Sequence, residues 1–287
     1  MRRTGFVLFA LVALLAVTVV PAFAITGTYV RDFEHPFVGL VVFYDSNGDF
    51  IWRCSGSLIS PTKLLTAGHC TDTAEGAVSA RVYFQQDAGA HYDPTTQIDP
   101  VSGYPESCAE GTLGLSCATS SRIYNYGFAN FAGFPNTHDA GVVILAEPIT
   151  LLEYGQLPAA GVLDSLATKR GLKDTIFTVS GYGLTYKTND HSPLPNISFR
   201  ERLMALSTLV SLKSAITDGY NLQTQGNGDG RGGTCSGDSG GPVFLGGSES
   251  NLIVGVTSFG MNSLCRGTDF AYRVDQAAVL DWIAGVK

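Results

Sequence analysis

The sequence predicts an all-β protein, a barrel or sandwich of many short strands that ends in one helix. Three observations predict it. Short apolar runs of strand length recur along the 287 residues. Glycine, proline and asparagine clusters separate them. Helix-period stretches are scarce, which argues against layered α/β architecture.

The elements follow in order. Phe37–Tyr44 reads as a strand, residues 45–49 (DSNGD) as a turn, and Phe50–Ser60 as a second strand. Further strands are predicted over 62–67, 80–86, 141–147, 175–180, 202–209 and 252–259. In the last segment Val279, Trp282, Ile283 and Val286 recur at i, i+3, i+4 and i+7. This predicts a C-terminal helix, with Asp275 as its N-cap. Residues 86–137 show little periodicity and read as a long surface loop. Residues 183–198 read as another, with Asn196-Ile197-Ser198 a glycosylation acceptor pattern.

Hydrophobic residues make up 45% and charged residues 15%, so a globular core is expected. The formal net charge is −7. No basic run is present, which argues against a nucleic-acid partner. Arg2 and Arg3 precede an apolar run from Phe6 to Val20. Pro21 and Ala22-Phe23-Ala24 then read as the end of a cleavable signal over residues 1–24. The run is short of the ~20 residues needed to span a bilayer, so export is expected rather than anchoring.

All six cysteines follow that segment, at 54, 70, 108, 117, 235 and 265. An even number in an exported chain predicts disulfides, although six allow about 15 connectivities. Spacing suggests sequential partners: Cys54–Cys70, Cys108–Cys117 and Cys235–Cys265. No zinc-like spacing occurs, and no metal or cofactor is expected.

Gly232–Pro242 (GGTCSGDSGGP) raises the question of chemistry. Glycine is costly to order, so such a run implies close backbone approach around Ser239. Gly237-Asp238-Ser239-Gly240-Gly241 fits the G-x-S-x-G pattern. All five histidines, 35, 69, 91, 138 and 191, precede Ser239. That opposes the Ser…Asp…His order of α/β-hydrolases and an esterase on that fold. The subtilisin order places Asp first on an alternating α/β chain, which the strand pattern opposes. The order His…Asp…Ser remains. His69 ends a strand and precedes a cysteine, so its ring would be rigidly held. His35, His91 and His191 sit in loop contexts. Asp139 opens the apolar run 140–145, a costly place for an acid unless it is hydrogen-bonded. His138 is its neighbour and on extended chain points the other way.

These stretches resemble the chymotrypsin/trypsin-like serine proteases. The matching segments are CSGSLISPTKLLTAGHC (54–70), HDAGVVIL (138–145), SGYG (180–183), CSGDSGGP (235–242) and VTSFG (256–260). The resemblance implies two six-stranded antiparallel β-barrels, over 25–150 and 151–287, with the site between them. It implies a monomeric endopeptidase that is secreted, acts on proteins or peptides, and has no membrane contact after signal cleavage. His69, Asp139 and Ser239 would form the triad, with the amides of Gly237 and Ser239 as the oxyanion hole. Ser258 would bond near Asp139, and Ser258-Phe259-Gly260 would pair with substrate backbone. Cleavage before Ile25 would free an amine to pair with Asp238. Gly233 would form the base of the specificity pocket, so the acid that selects basic residues in trypsin is absent there. One register puts Asp269 in the pocket wall; another turns Phe270 inward. The competing reading is a catalytically silent relative that binds protein partners.

Overall fold

The computed structural model describes residues 25–89, 117–167, 174–185, 200–226 and 230–287. Two short N-terminal strands come first, β1 (Thr26–Gly27) and β2 (Val30–Arg31). Six strands then close a barrel. They are β3 (Val38–Tyr44), β4 (Phe50–Leu58), β5 (Lys63–Thr66), β6 (Ser79–Tyr83), β7 (Cys117–Asn125) and β8 (Gly141–Leu145), in the order β3-β4-β5-β8-β7-β6. Every residue of β3 is buried. This explains its unbroken apolar run: an element covered on both faces has no polar side to alternate with.

The second half repeats the architecture. It holds β9 (Ile176–Gly181), β10 (Leu203–Ser211), β11 (Asn221–Gln225), the short β12 (Gly232–Gly233), β13 (Pro242–Leu245), β14 (Ile253–Gly260) and β15 (Thr268–Arg273). The order β11-β15-β14-β13-β9-β10 closes through a β10–β11 pairing, and β2 adds to β10 outside the ring. Closure leaves no unpaired edge in either ring. β1 pairs with β12, setting Thr26 opposite Gly233. The fold is therefore two six-stranded antiparallel barrels and one short C-terminal helix, α1 (Ala277–Gly285).

Two expectations are corrected. Residues 86–137 are not one irregular loop, because β7 runs through 117–125 and completes the first barrel. Its sequence, CATSSRIYN, is largely polar and only Ala118 is fully buried, so no apolar alternation marks it. Asp275 does not cap α1; Gln276 occupies that position without a side-chain bond. Asp275 is instead buried, paired with Arg273 at 2.8 Å and accepting the Leu163 amide at 2.9 Å. A carboxylate already committed to an internal cation is not free for the helix. Residues 186–199, with Asn196 and His191, and residues 90–116, with His91 and Cys108, lie outside the described residues.

The barrels meet through polar as well as apolar contacts. Tyr182 Oη donates to the Gln85 carbonyl at 2.6 Å. Arg202 Nη1 donates to the carbonyls of Val38 and Phe84, each at 3.1 Å. Val279 and Ile283 of α1 join the core cluster that contains the first barrel. Lys63 Nζ donates to the Ile283 carbonyl at 2.9 Å, a cation at the helix end where orphan carbonyls collect.

Candidate active site

His69 begins a 3-10 turn (His69–Thr71) directly after β5. Cys70 is bonded to Cys54 of β4, so the turn is tied to the neighbouring strand on the residue next to the ring. His69 Nδ1 lies 2.9 Å from Asp139 Oδ2. Its backbone amide donates to Asp139 Oδ1 at 2.8 Å. With a carboxylate facing Nδ1, the proton belongs on that nitrogen and Nε2 is left as the acceptor.

Asp139 is fully buried. Ser258 Oγ, reaching from β14 of the second barrel, donates to its Oδ2. Burial works to raise the Asp139 pKa, but the His69 ring, the Ser258 hydroxyl and the His69 amide outweigh it and hold the carboxyl below the usual range. For His69, burial works to lower the pKa. The Asp139 charge and hydrogen bond, with Asp72 and Glu75 nearby, outweigh it and raise the imidazole above its ordinary value.

Ser239 sits on the turn between β12 and β13, and its carbonyl accepts the Ser55 amide at 2.8 Å. Here the glycines explain themselves. Gly237 has φ +97°, a conformation side chains disfavour. A Cβ on Gly240 would lie 2.0 Å from Thr66 Oγ1, so the turn can touch the first barrel only without one. His69, Ser239, Gly237, Trp52 and Phe128 line one cleft of about 430 Å³ between the barrels.

A second cavity, about 210 Å³, opens beside Ser239 and is lined by Ser258, Phe259, Gly260 and Asp269. A Cβ on Gly233 would lie 2.5 Å from Asp269 Oδ2, so this glycine makes room for the acid. Asp269 accepts the Thr234 amide at 2.8 Å, yet burial pushes its pKa up to about 6. The register with Phe270 in the pocket is not the one observed. Asp269 opposes Gly260, and the buried Phe270 stacks on Phe259 with centroids 4.6 Å apart.

Asp238 is buried, and its carboxylate accepts the amides of Gly183 (2.7 Å) and Cys235 (2.9 Å). Burial pushes its pKa up to about 7, against the pull of those amides and of Arg53. Ile25 is fully buried among second-barrel core residues. Among the described residues no hydrogen bond joins it to Asp238. The cysteines pair as 54–70 and 235–265. Cys117 is also disulfide-bonded.

The other described histidines stand apart. His35 is buried against Asp32 at 2.9 Å. His138 Nε2 lies 3.2 Å from Asn136 Nδ2, and the ring packs on Tyr126. Sequence reasoning passed over Ser55 and Phe128. Ser55 lies inside the segment 54–70, but nothing in its spacing marks it. Phe128 meets the His69 ring edge-on at 5.8 Å and lay in a stretch read as loop.

A two-barrel fold with an Asp–His pair and a serine on a glycine-rich turn in one cleft defines a class, the serine proteases of this architecture. The trypsin family model matches residues 25–283, and the chain belongs to that family. It is 30% identical to brachyurin of Leptuca pugilator, over 82% of this chain and 88% of that one. It is 29% identical to serine protease 1 of Drosophila melanogaster, over 86% and 78%. Among solved structures, HL collagenase aligns with a TM-score of 0.60 at 20% identity, over 92% of this chain and 99% of its own. Human heparin binding protein gives 0.60 at 22%, over 91% and 96%. At these identities the two structures bear on the fold alone.

Proposed function

We propose that the protein is a secreted serine endopeptidase working through an acyl-enzyme intermediate. The observation that carries this reading is His69 held on Asp139 through both its ring and its backbone amide, at the rim of a cleft that Ser239 also lines.

Ser239 Oγ attacks the scissile carbonyl carbon. The O–C bond forms as the hydroxyl proton passes to His69 Nε2. Asp139 keeps the second proton on Nδ1 and stabilises the imidazolium. The amides of Gly237 and Ser239 hold the oxyanion, a donor type worth roughly 3–4 kcal/mol each in the transition state. The C–N bond then breaks and His69 gives its proton to the leaving amine. Water, deprotonated by the same ring, releases the acyl group and restores the Ser239 hydroxyl. Ser258-Phe259-Gly260 bonds the substrate backbone as an added strand.

Asp269, with Gly233 making space for it, selects a Lys or Arg side chain before the cut. A buried carboxylate at a pocket wall gains most from a cation it can pair with. Removal of residues 1–24 frees the Ile25 amine, and its ammonium pairs with Asp238. A buried acid whose described hydrogen bonds come from the amides of Gly183 and Cys235 is the partner such a cation fits.

The purified protein should take up a fluorophosphonate probe at Ser239, located by peptide mass, and Ser239→Ala should not. The same preparation should prefer Arg or Lys over Leu or Phe in substrates differing only at that residue. Absence of both labelling and peptide cleavage would support the silent protein-binding relative instead.

A further inference from the structure

The Ser239 turn must hold two amides at fixed positions, yet Gly237 leaves it free to swing. One buried side chain bonded to this turn takes no part in the mechanism above. Ser55, in β4 next to Cys54, is fully buried. Its Oγ donates to the Gly237 carbonyl at 2.9 Å and accepts the Tyr182 amide at 3.0 Å. Its backbone amide donates to the Ser239 carbonyl at 2.8 Å. Its own carbonyl accepts Thr66 Oγ1 at 2.8 Å, which ties the arrangement to β5 and the first barrel.

The order of these peptides matters. The Gly237 amide lies in the peptide before Gly237, and the Ser239 amide in the peptide before Ser239. The carbonyls that Ser55 grips belong to the two peptides that follow, Gly237–Asp238 and Ser239–Gly240. Each oxyanion-facing amide is thus followed by a pinned peptide. Any residue but proline at 55 could supply the backbone bond to Ser239. The grip on Gly237 needs a hydroxyl, and Gly237 is where it is needed, because glycine's wide φ range gives the peptides on either side freedom to rotate. The same oxygen takes the Tyr182 amide, and the next amide, Gly183, holds Asp238 Oδ1.

We infer that Ser55 is a positioning residue whose hydroxyl fixes the Gly237–Asp238 peptide and so aims the oxyanion-hole amides. The inference rests on the peptidase reading. Without the hydroxyl, a half-buried carbonyl and a buried amide lose their partner together. The tetrahedral state, which needs the amides aimed, is weakened more than substrate binding, which does not.

The test compares the mature wild type with Ser55→Ala and Ser55→Gly, at a temperature where each is folded by circular dichroism. Three quantities are read: kcat and KM on one peptide substrate, the affinity of a peptide boronic acid that forms a tetrahedral adduct, and the affinity of the same peptide ending in hydrogen. Removing a direct donor costs about 10²–10³ in kcat, and an indirect loss is smaller, about tenfold. The expected result is a fall of that size in kcat and in boronate affinity, with KM and the hydrogen-ended peptide unchanged. A lowered melting temperature with kcat and boronate affinity intact would overturn the inference. So would equal weakening of both peptides. If the wild type neither labels with fluorophosphonate nor cleaves peptides, the peptidase reading itself fails, an outcome visible before any variant is made.

Discussion

His69 and Ser239 stand at facing edges of one cleft and are fixed by different means. His69 is held by charge: a buried carboxylate grips both ring and backbone, and a disulfide anchors the next residue. Ser239 is held by backbone. Its turn touches the first barrel through carbonyls, amides and missing side chains, and its neighbouring acid is bonded by two amides. The contrast suits the chemistry. In the proposed mechanism the imidazole changes charge and needs a compensating group. The turn only has to present donors at constant positions, and rigid backbone does this without reorganisation.

The difference predicts that each side breaks in its own way. Among changes to the groups that hold the two residues, the larger effect belongs to the charged side. Asp139→Asn should lower kcat roughly 10⁴-fold, because an amide no longer enforces the Nδ1–H tautomer. The pH profile adds a signed test. The base acts only when unprotonated, and Asp139 raises the His69 pKa, so the acid limb of kcat/KM should lie above an ordinary histidine's. In Asp139→Asn the limb should move to lower pH; a limb that stays in place would contradict the electrostatic account.

The smaller effect belongs to the backbone-held side and appears in stability. In chain kept uncut before Ile25, Asp238 titrates near 7 rather than 3.8, so the folded form holds a proton the unfolded form lacks. The Asp238 contribution to stability should therefore be greatest below about pH 4 and fall as pH rises to about 7, by up to about 4 kcal/mol, and Asp269, pushed up to about 6, adds to the same fall. Urea midpoints across that range would show it, and Asp238→Asn should make the slope shallower, leaving the part that belongs to Asp269. Cutting before Ile25 should remove the Asp238 part of the slope, because an adjacent ammonium favours the carboxylate. A slope indifferent to the cut would separate Ile25 from Asp238.

The sequence made some of this plain and hid the rest for physical reasons. β3 and β8 were legible because burial on both faces demands unbroken apolar runs. β7 was not, because a strand with one wet face and polar residues carries little pattern. His69, Asp139 and Ser239 could be ordered along the chain because each breaks a local rule, an acid or histidine at a strand end and a serine among glycines. The choice between Asp269 and Phe270 could not be made that way. Neighbours on a strand face opposite sides, so one step of register exchanges them, and the β14–β15 pairing with its irregularity between Thr257 and Phe259 sets that step. Ser55 was hidden more deeply. Its partners lie 127 and 182 residues away, and no local pattern announces a bond of that span.

The proposed mechanism requires residues from two barrels to act as one unit. The most direct measurement is kcat for Ser239→Ala, His69→Ala and the double variant on one peptide substrate. If they form a unit, each single change should cost on the order of 10⁶-fold and the double change little more. A double variant whose loss is the product of the two single losses would show two independent contributions and contradict the account.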